Sequence, residues 1–336
     1  MGQGEEIKTR SDPHVEIQER GEIFFFYRPK VNREEAHSID DVQKFYIVLR
    51  PESGESSVEQ KQSPDSGKEG AKSQLSPSSK RSEHDDDDDD DEDGRREAHP
   101  EGGHGVKEVN IEKEPLLRFI VMGRKKLPDP AQKSRPFFGF VEMVTTKIDD
   151  IKDALQGEEY ETSTRGHRHK PQSRALGEGV YRILRHKYSN TRMHTHLVYK
   201  LELPSQEKKN EPQEELNVER EGSFIIQIKN PEQAGDGGRS GSGFRGVQSK
   251  RKAVFPARLH GQFGSKRFGP ADPPDFLNYE GCEFLLISAS DDIEEELGME
   301  LRPETEDQCG PDCSDLVRTF GLDAAPTAPL FEGTWC

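Results

Sequence analysis

Cysteine, tryptophan and long apolar stretches are what this sequence has least of. Four cysteines and one tryptophan occur among 336 residues. No run reaches the roughly 18 apolar residues that a membrane-crossing helix needs. The opening residues Met1 to Glu6 lack the apolar core of a secretory signal and the Arg/Ser bias of a transit peptide. Gly2 suits myristoylation, but Glu6 stands where that signal wants Ser or Thr. The expectation is therefore no membrane span and an intracellular location, cytoplasmic or nuclear. Cys282, Cys309, Cys313 and Cys336 are too few and too clustered to staple a domain of this size. Free thiols in a reducing compartment are expected.

Hydrophobic residues are scarce as well, at 30% against 34% charged. A chain this polar cannot fold throughout. The net charge of −17 is also unevenly spread: residues 51–114 carry −11 and residues 291–336 another −11, which leaves +5 on the remainder. A mildly basic body between acidic appendages attracts phosphates, nucleic acid, anionic lipid or an acidic segment, including its own.

What is present is a set of short apolar runs: Ile23 to Tyr27, Phe45 to Leu49, Leu116 to Met122, Phe137 to Val144, Val180 to Leu184, Leu197 to Leu203, Phe224 to Ile228 and Phe284 to Ile287. They have strand length, are rich in Phe, Tyr, Ile and Val, and are bounded by turn residues. They predict an α+β fold, predominantly antiparallel β, as a sandwich or partly closed barrel. The clearest hairpin joins Val180–His186 to Met193–Leu203 through residues 188–191. In its second strand Leu197, Tyr199, Leu201 and Leu203 share one face, with His194, His196, Lys200 and Glu202 on the other.

Helical signals are short. Thr146 suits the cap of a helix carrying Ile148, Ile151 and Leu155, with Asp149 as reciprocal partner. Pro212 and Pro256 suit first turns, and Ser290 with Asp291, Asp292 and Glu294 opens a helix that Gly298 closes. The organisation expected is a first part of the core over 1–50, a disordered acidic insert over 51–114, and the rest of the core over 115–302 with a flexible Gly/Ser loop at 235–246. A flexible acidic tail over 303–336 completes it. The insert contains the uninterrupted acidic run Asp85 to Asp93, and long loop insertions cost little.

Several patterns bear on chemistry. Gly241, Gly243 and Gly246 spell G-x-G-x-x-G, but the run follows no adjacent strand and opens no helix, so it lacks the setting of a dinucleotide site. Cys309 and Cys313 are spaced one residue too far for a thioredoxin-type or zinc-knuckle pair. Ser63, Ser76 and Ser82 are kinase-like sites of a kind common in Ser-rich linkers. His194 and His196, two apart on a strand, point the same way and can meet one divalent transition metal, with His186 or a carboxylate completing the set. Exposed histidines beside Arg and Lys form the ordinary alternative. The strongest signal is electrostatic. Arg182, Arg185, His186, Lys187 and Arg192 crowd one hairpin with Tyr181 and Tyr188, while Arg245, Lys250, Arg251, Lys252, Arg258, Lys266 and Arg267 crowd a later loop. Interleaved cations and aromatics on a β-ribbon can grip phosphates and stack bases, although cations are also ordinary on a solvated sheet.

Gly21 to Pro29 with Asp40 to Tyr46, His194 to Pro204, and Phe268 to Glu280 together resemble a family of uncharacterised proteins without an assigned activity. The resemblance covers most of the expected core, none of the acidic insert, and carries over no functional residue. Three functions follow as expectations. The first is a non-catalytic binding module engaging an anionic macromolecule or acidic protein segment through Arg182, Arg185, Lys187, Arg192, Lys250, Arg251, Lys252 and Arg258, with no cofactor and with the acidic insert as a brake. The second is a metal-dependent or acid-base enzyme using His194, His196 and His186. The third is a scaffold that pairs through exposed strand edges.

Overall fold

The computed structural model describes residues 4–10, 14–52, 55–61, 104–132, 135–164, 166–189, 192–204, 210–233, 252–303 and 313–336. In chain order the strands are β1 (Glu5–Lys8), β2 (Val15–Pro29), β3 (Val42–Pro51), β4 (Glu55–Lys61), β5 (His104–Asn110), β6 (Leu117–Met122), β7 (Phe137–Thr145), β8 (Glu158–Thr162), β9 (Gly166–Lys170), β10 (Arg174–Ser189), β11 (Arg192–Leu203), β12 (Glu221–Lys229), β13 (Phe268–Pro270), β14 (Glu283–Ser290) and β15 (Met299–Arg302). The helices are α1 (Ile148–Leu155), α2 (Glu211–Glu215), α3 (Ala257–His260), α4 (Ile293–Leu297), α5 (Asp315–Phe320) and α6 (Ala328–Phe331).

All the apolar runs read from the sequence lie in strands, and those strands make one antiparallel sheet in the order β11-β10-β2-β3-β6-β7-β14-β12, which the β11–β12 pairing closes into a barrel. β13 occupies the part of the β12 edge that β11 leaves, from Gln227 to Lys229. Closure gives each barrel strand a partner on both sides and removes the long open edge a sandwich would carry.

Alternation along the strands sorts the side chains into two layers. Phe25, Phe45, Ile120, Val141, Tyr181, Tyr199, Phe224 and Phe284, one from each barrel strand, belong to a single buried interior cluster. Phe24, Phe26, Tyr46, Val48 and Phe119 face outward, yet are buried beneath α1, α5 and α6. Covering on both faces is why the β2 run is continuously apolar instead of alternating.

Local chemistry differs from expectation at several points. The α1 cap position is Lys147, without a side-chain cap bond; instead Thr145 Oγ1 accepts from Lys147 N at 3.0 Å and donates to Asp150 at 2.5 Å. Asp292, not Ser290, caps α4 by accepting from Glu295 N at 2.7 Å, while Gly298 closes it in the left-handed region at φ 67°. Leu203 leaves the face of Leu197, Tyr199 and Leu201 and joins the outer layer, because the ladder slips between Glu178 and Gly179. At Gly179 a Cβ would collide with the Lys200 carbonyl, so the slip depends on glycine.

The stretch 313–336, read as a loose tail, is packed. Leu316, Phe320, Ala324, Ala325 and Leu330 are all buried against the outer layer. Within the segment assigned to the acidic insert, β4 and β5 pair as a ribbon, and residues 62–103, with Ser63, Ser76, Ser82 and the run Asp85–Asp93, lie outside the described residues. The expectation of four free thiols is corrected too: Cys282 and Cys336 are free, whereas Cys313 is disulfide-bonded. Scarcity of cysteine argues against a domain-wide framework and does not exclude a single bond.

Candidate functional site

Because neighbouring strands alternate in direction, β3, β7, β10 and β12 finish, and β2, β6, β11 and β14 begin, at one end of the barrel. The paired ends of β10 and β11, which carry the basic hairpin, lie there. So does the segment 252–282, which flanks β13 and leads into β14. This segment plugs the barrel: Phe255, Leu259, Phe263, Phe276, Leu277 and Tyr279 join the interior cluster. Phe255 meets Phe276 and Tyr279 edge to face, with ring centroids 5.1 and 5.6 Å apart.

The eight cations expected to bind anions divide into three groups. Arg182 is fully buried; its guanidinium pairs with Glu6 and donates to Tyr181 O at 2.8 Å and Gly4 O at 3.1 Å. Burial works to raise the Glu6 carboxyl, but bonds from Arg20 and Arg182 hold it below its usual value. Arg185 donates to both Asp272 oxygens at 2.8 and 2.9 Å and to Glu16 at 2.9 Å. Such forked bonds fix geometry, and here they fasten the hairpin to the plug. Lys187, Lys252 and Arg258 are exposed, with Arg258 3.1 Å from Asp275. The Arg192 side chain, Lys250 and Arg251 lie outside the described residues, as does Arg245, which was not among the eight. Lys266 and Arg267, exposed on the plug, add to the same end, and Arg267 stands 5.7 Å over the Phe268 ring. β4 runs beside the turn Pro274–Asn278, so the ribbon that leads to residues 62–103 also borders the plug.

The histidines sit on the outer wall. His196 is 1% exposed, beneath α4, which corrects the expectation of an exposed ring. The cause is the apolar patch of Leu184, Val198, Ile293, Leu297, Met299 and Leu301, which draws α4 and β15 over this face. His196 Nδ1 is 3.0 Å from Ser223 Oγ and 3.7 Å from Glu296 Oε1, and Ser223 also bonds Glu296. Both partners meet the same nitrogen, so they hold the ring and do not relay a proton through it. His186 stands 5.3 Å from His196, centroid to centroid, at 66°, and faces His194 directly across the ladder. Among the described residues, no group of three or more His, Cys, Asp or Glu is arranged to hold a metal ion.

Sequence reasoning missed the charged groups inside the wall. Arg118 lies within an apolar strand, fully buried, and donates to Asn278 at 2.8 Å and to Glu19 at 2.6 and 2.8 Å. Tyr181 donates to the same Glu19 at 2.7 Å. Glu178 accepts from Ser314 Oγ and Leu316 N, both at 2.8 Å, and so anchors α5. The available signal was a charge at an inward position of an apolar run, as in Leu117-Arg118-Phe119.

The G-x-G-x-x-G run and Cys309 lie outside the described residues. Among the described residues no helix is long and apolar enough to cross a membrane. No family model, no curated protein and no solved structure matches this chain.

Proposed function

We propose that the plugged end of the barrel is a non-catalytic recognition surface for an anionic macromolecule or acidic protein segment. The observation that carries this is the forked Arg185–Asp272 bond, which joins the hairpin bearing Lys187 to the plug bearing Lys252, Arg258, Lys266 and Arg267. Two cation-rich tracts far apart in sequence thereby become neighbours. Arg182 and Arg185 serve this reading as structural ties, since carboxylates already meet their charge. Lys187, Lys252, Lys266 and Arg267, with Arg192, Lys250 and Arg251, supply the attraction, and Arg258 adds to it only in part because Asp275 lies 3.1 Å away. Such a field raises association rates and fades with salt. The acidic run Asp85–Asp93, reached through the ribbon beside the plug, competes for the same charge.

Fluorescence anisotropy with a labelled acidic peptide and a labelled heparin oligosaccharide tests the reading on the full chain. The combined variant Lys187→Glu, Lys252→Glu, Arg258→Glu should weaken binding at low salt by about tenfold or more and flatten the salt dependence. Joining Lys61 to His104 by a short Gly/Ser turn should tighten it. Binding that ignores both changes refutes the proposal.

A further inference from the structure

The imidazoles of His186, His194 and His196 on the outer wall are not used by that recognition surface. His196 Nδ1 is taken by Ser223 Oγ and neighboured by Glu296, while its Nε2 is buried with no hydrogen-bond partner. A buried polar atom left unmet costs about 1–3 kcal/mol, a cost that a partner accepting its lone pair would relieve. β11 lies between β12 and β10 in the sheet. Ser223 grips the ring from the β12 side, and His186 stands on the β10 side, 5.3 Å away. With a proton on Nδ1 facing Ser223 and Glu296, Nε2 carries a lone pair. An oxygen partner that sets the tautomer of a ligating histidine is the usual support of a metal site.

We propose that His186 and His196 bind a borderline divalent transition ion such as zinc or cobalt, with His194 as third ligand. Two imidazoles at this separation can approach one ion, and imidazole favours these metals over magnesium or calcium. His194 is partly exposed and lies opposite His186 and two residues along from His196; the three rings are not gathered around one point in the structure, so the third ligand requires His194 to change its rotamer. The repulsion expected from nearby cations is offset, because Glu6 meets Arg182 and Glu221 lies 3.4 Å from Lys200.

The test uses full-length protein stripped with chelator and titrated with Co2+, read by visible absorption, and with Zn2+, read by calorimetry. One equivalent should bind, with d–d bands of low-coordinate cobalt. His186→Ala should weaken binding at least about thirtyfold, and Ser223→Ala by about 10–100-fold with unchanged stoichiometry. His167→Ala with His169→Ala, on the separate β8–β9 ribbon, should leave affinity as it was. If His196→Ala fails to fold, the partly exposed His186→Ala decides alone. Absence of binding, binding untouched by His186→Ala, or binding removed by the His167, His169 double variant overturns the proposal.

Discussion

Burial pushes the His196 imidazole down to about 3, and His186 and His194 add to the effect. The unfolded chain titrates near 6.5, so below that pH the unfolded state binds the additional proton and the fold loses stability. Glu22 and Glu178 act in the opposite sense. Burial raises both to about 7 from 4.5, so the folded state holds their protons, and their contribution is lost as pH rises through that window. Comparing variants isolates the imidazole. In urea melts of metal-free protein, the wild type should lose about 2 kcal/mol more than His196→Asn between pH 7 and pH 5. Parallel pH profiles would show that the ring is solvated and rule out its burial. Burial of this ring was not legible locally, because period-two alternation tells which residues share a face and not whether a later helix covers it. The same limit hid Glu19 and Arg118, which are 99 residues apart in sequence.

At the scale of elements, the barrel strands and helices α1 to α4 were legible in the sequence, whereas α5 and α6 were not. A strand such as Phe45–Leu49 announces itself through consecutive β-branched and aromatic residues. The six-residue α5 shows only Leu316 and Phe320 on one face, within an acidic region rich in glycine and proline. Its place comes from tertiary partners: Phe320 meets Phe24 edge to face at 5.3 Å, and the Ser314 hydroxyl both caps the helix and bonds Glu178. Ser314→Ala should cost about 1–2 kcal/mol as a lost cap, and Phe320→Ala about 3–5 kcal/mol as a core cavity. Denaturant midpoints check both. A neutral Phe320→Ala would mean that residues 313–336 do not hold the outer wall.

For the whole molecule, most acidic residues of 291–336 belong to the body, because 291–302 build α4 and β15 and 313–336 pack on the outer wall, and the barrel tolerates the long segment inserted between β4 and β5. Replacing residues 62–103 by a short turn between Lys61 and His104 shortens a loop, worth roughly 2 kcal/mol or less in closure entropy. The melting temperature of that protein should hold or rise by a few degrees; a marked fall would mean that the excised residues pack on the body. The sequence by itself determined the β-rich class, all the barrel strands, the long hairpin and the unequal spread of charge, since each follows from composition or from periodicity within a few residues. Barrel closure, the plug, the covering of His196 and the packing of the C-terminal residues were decided only in three dimensions. They depend on pairings such as β11 with β12 and Arg185 with Asp272, in which segments far apart along the chain satisfy one another's hydrogen bonds and apolar faces, and no local pattern encodes such a partner.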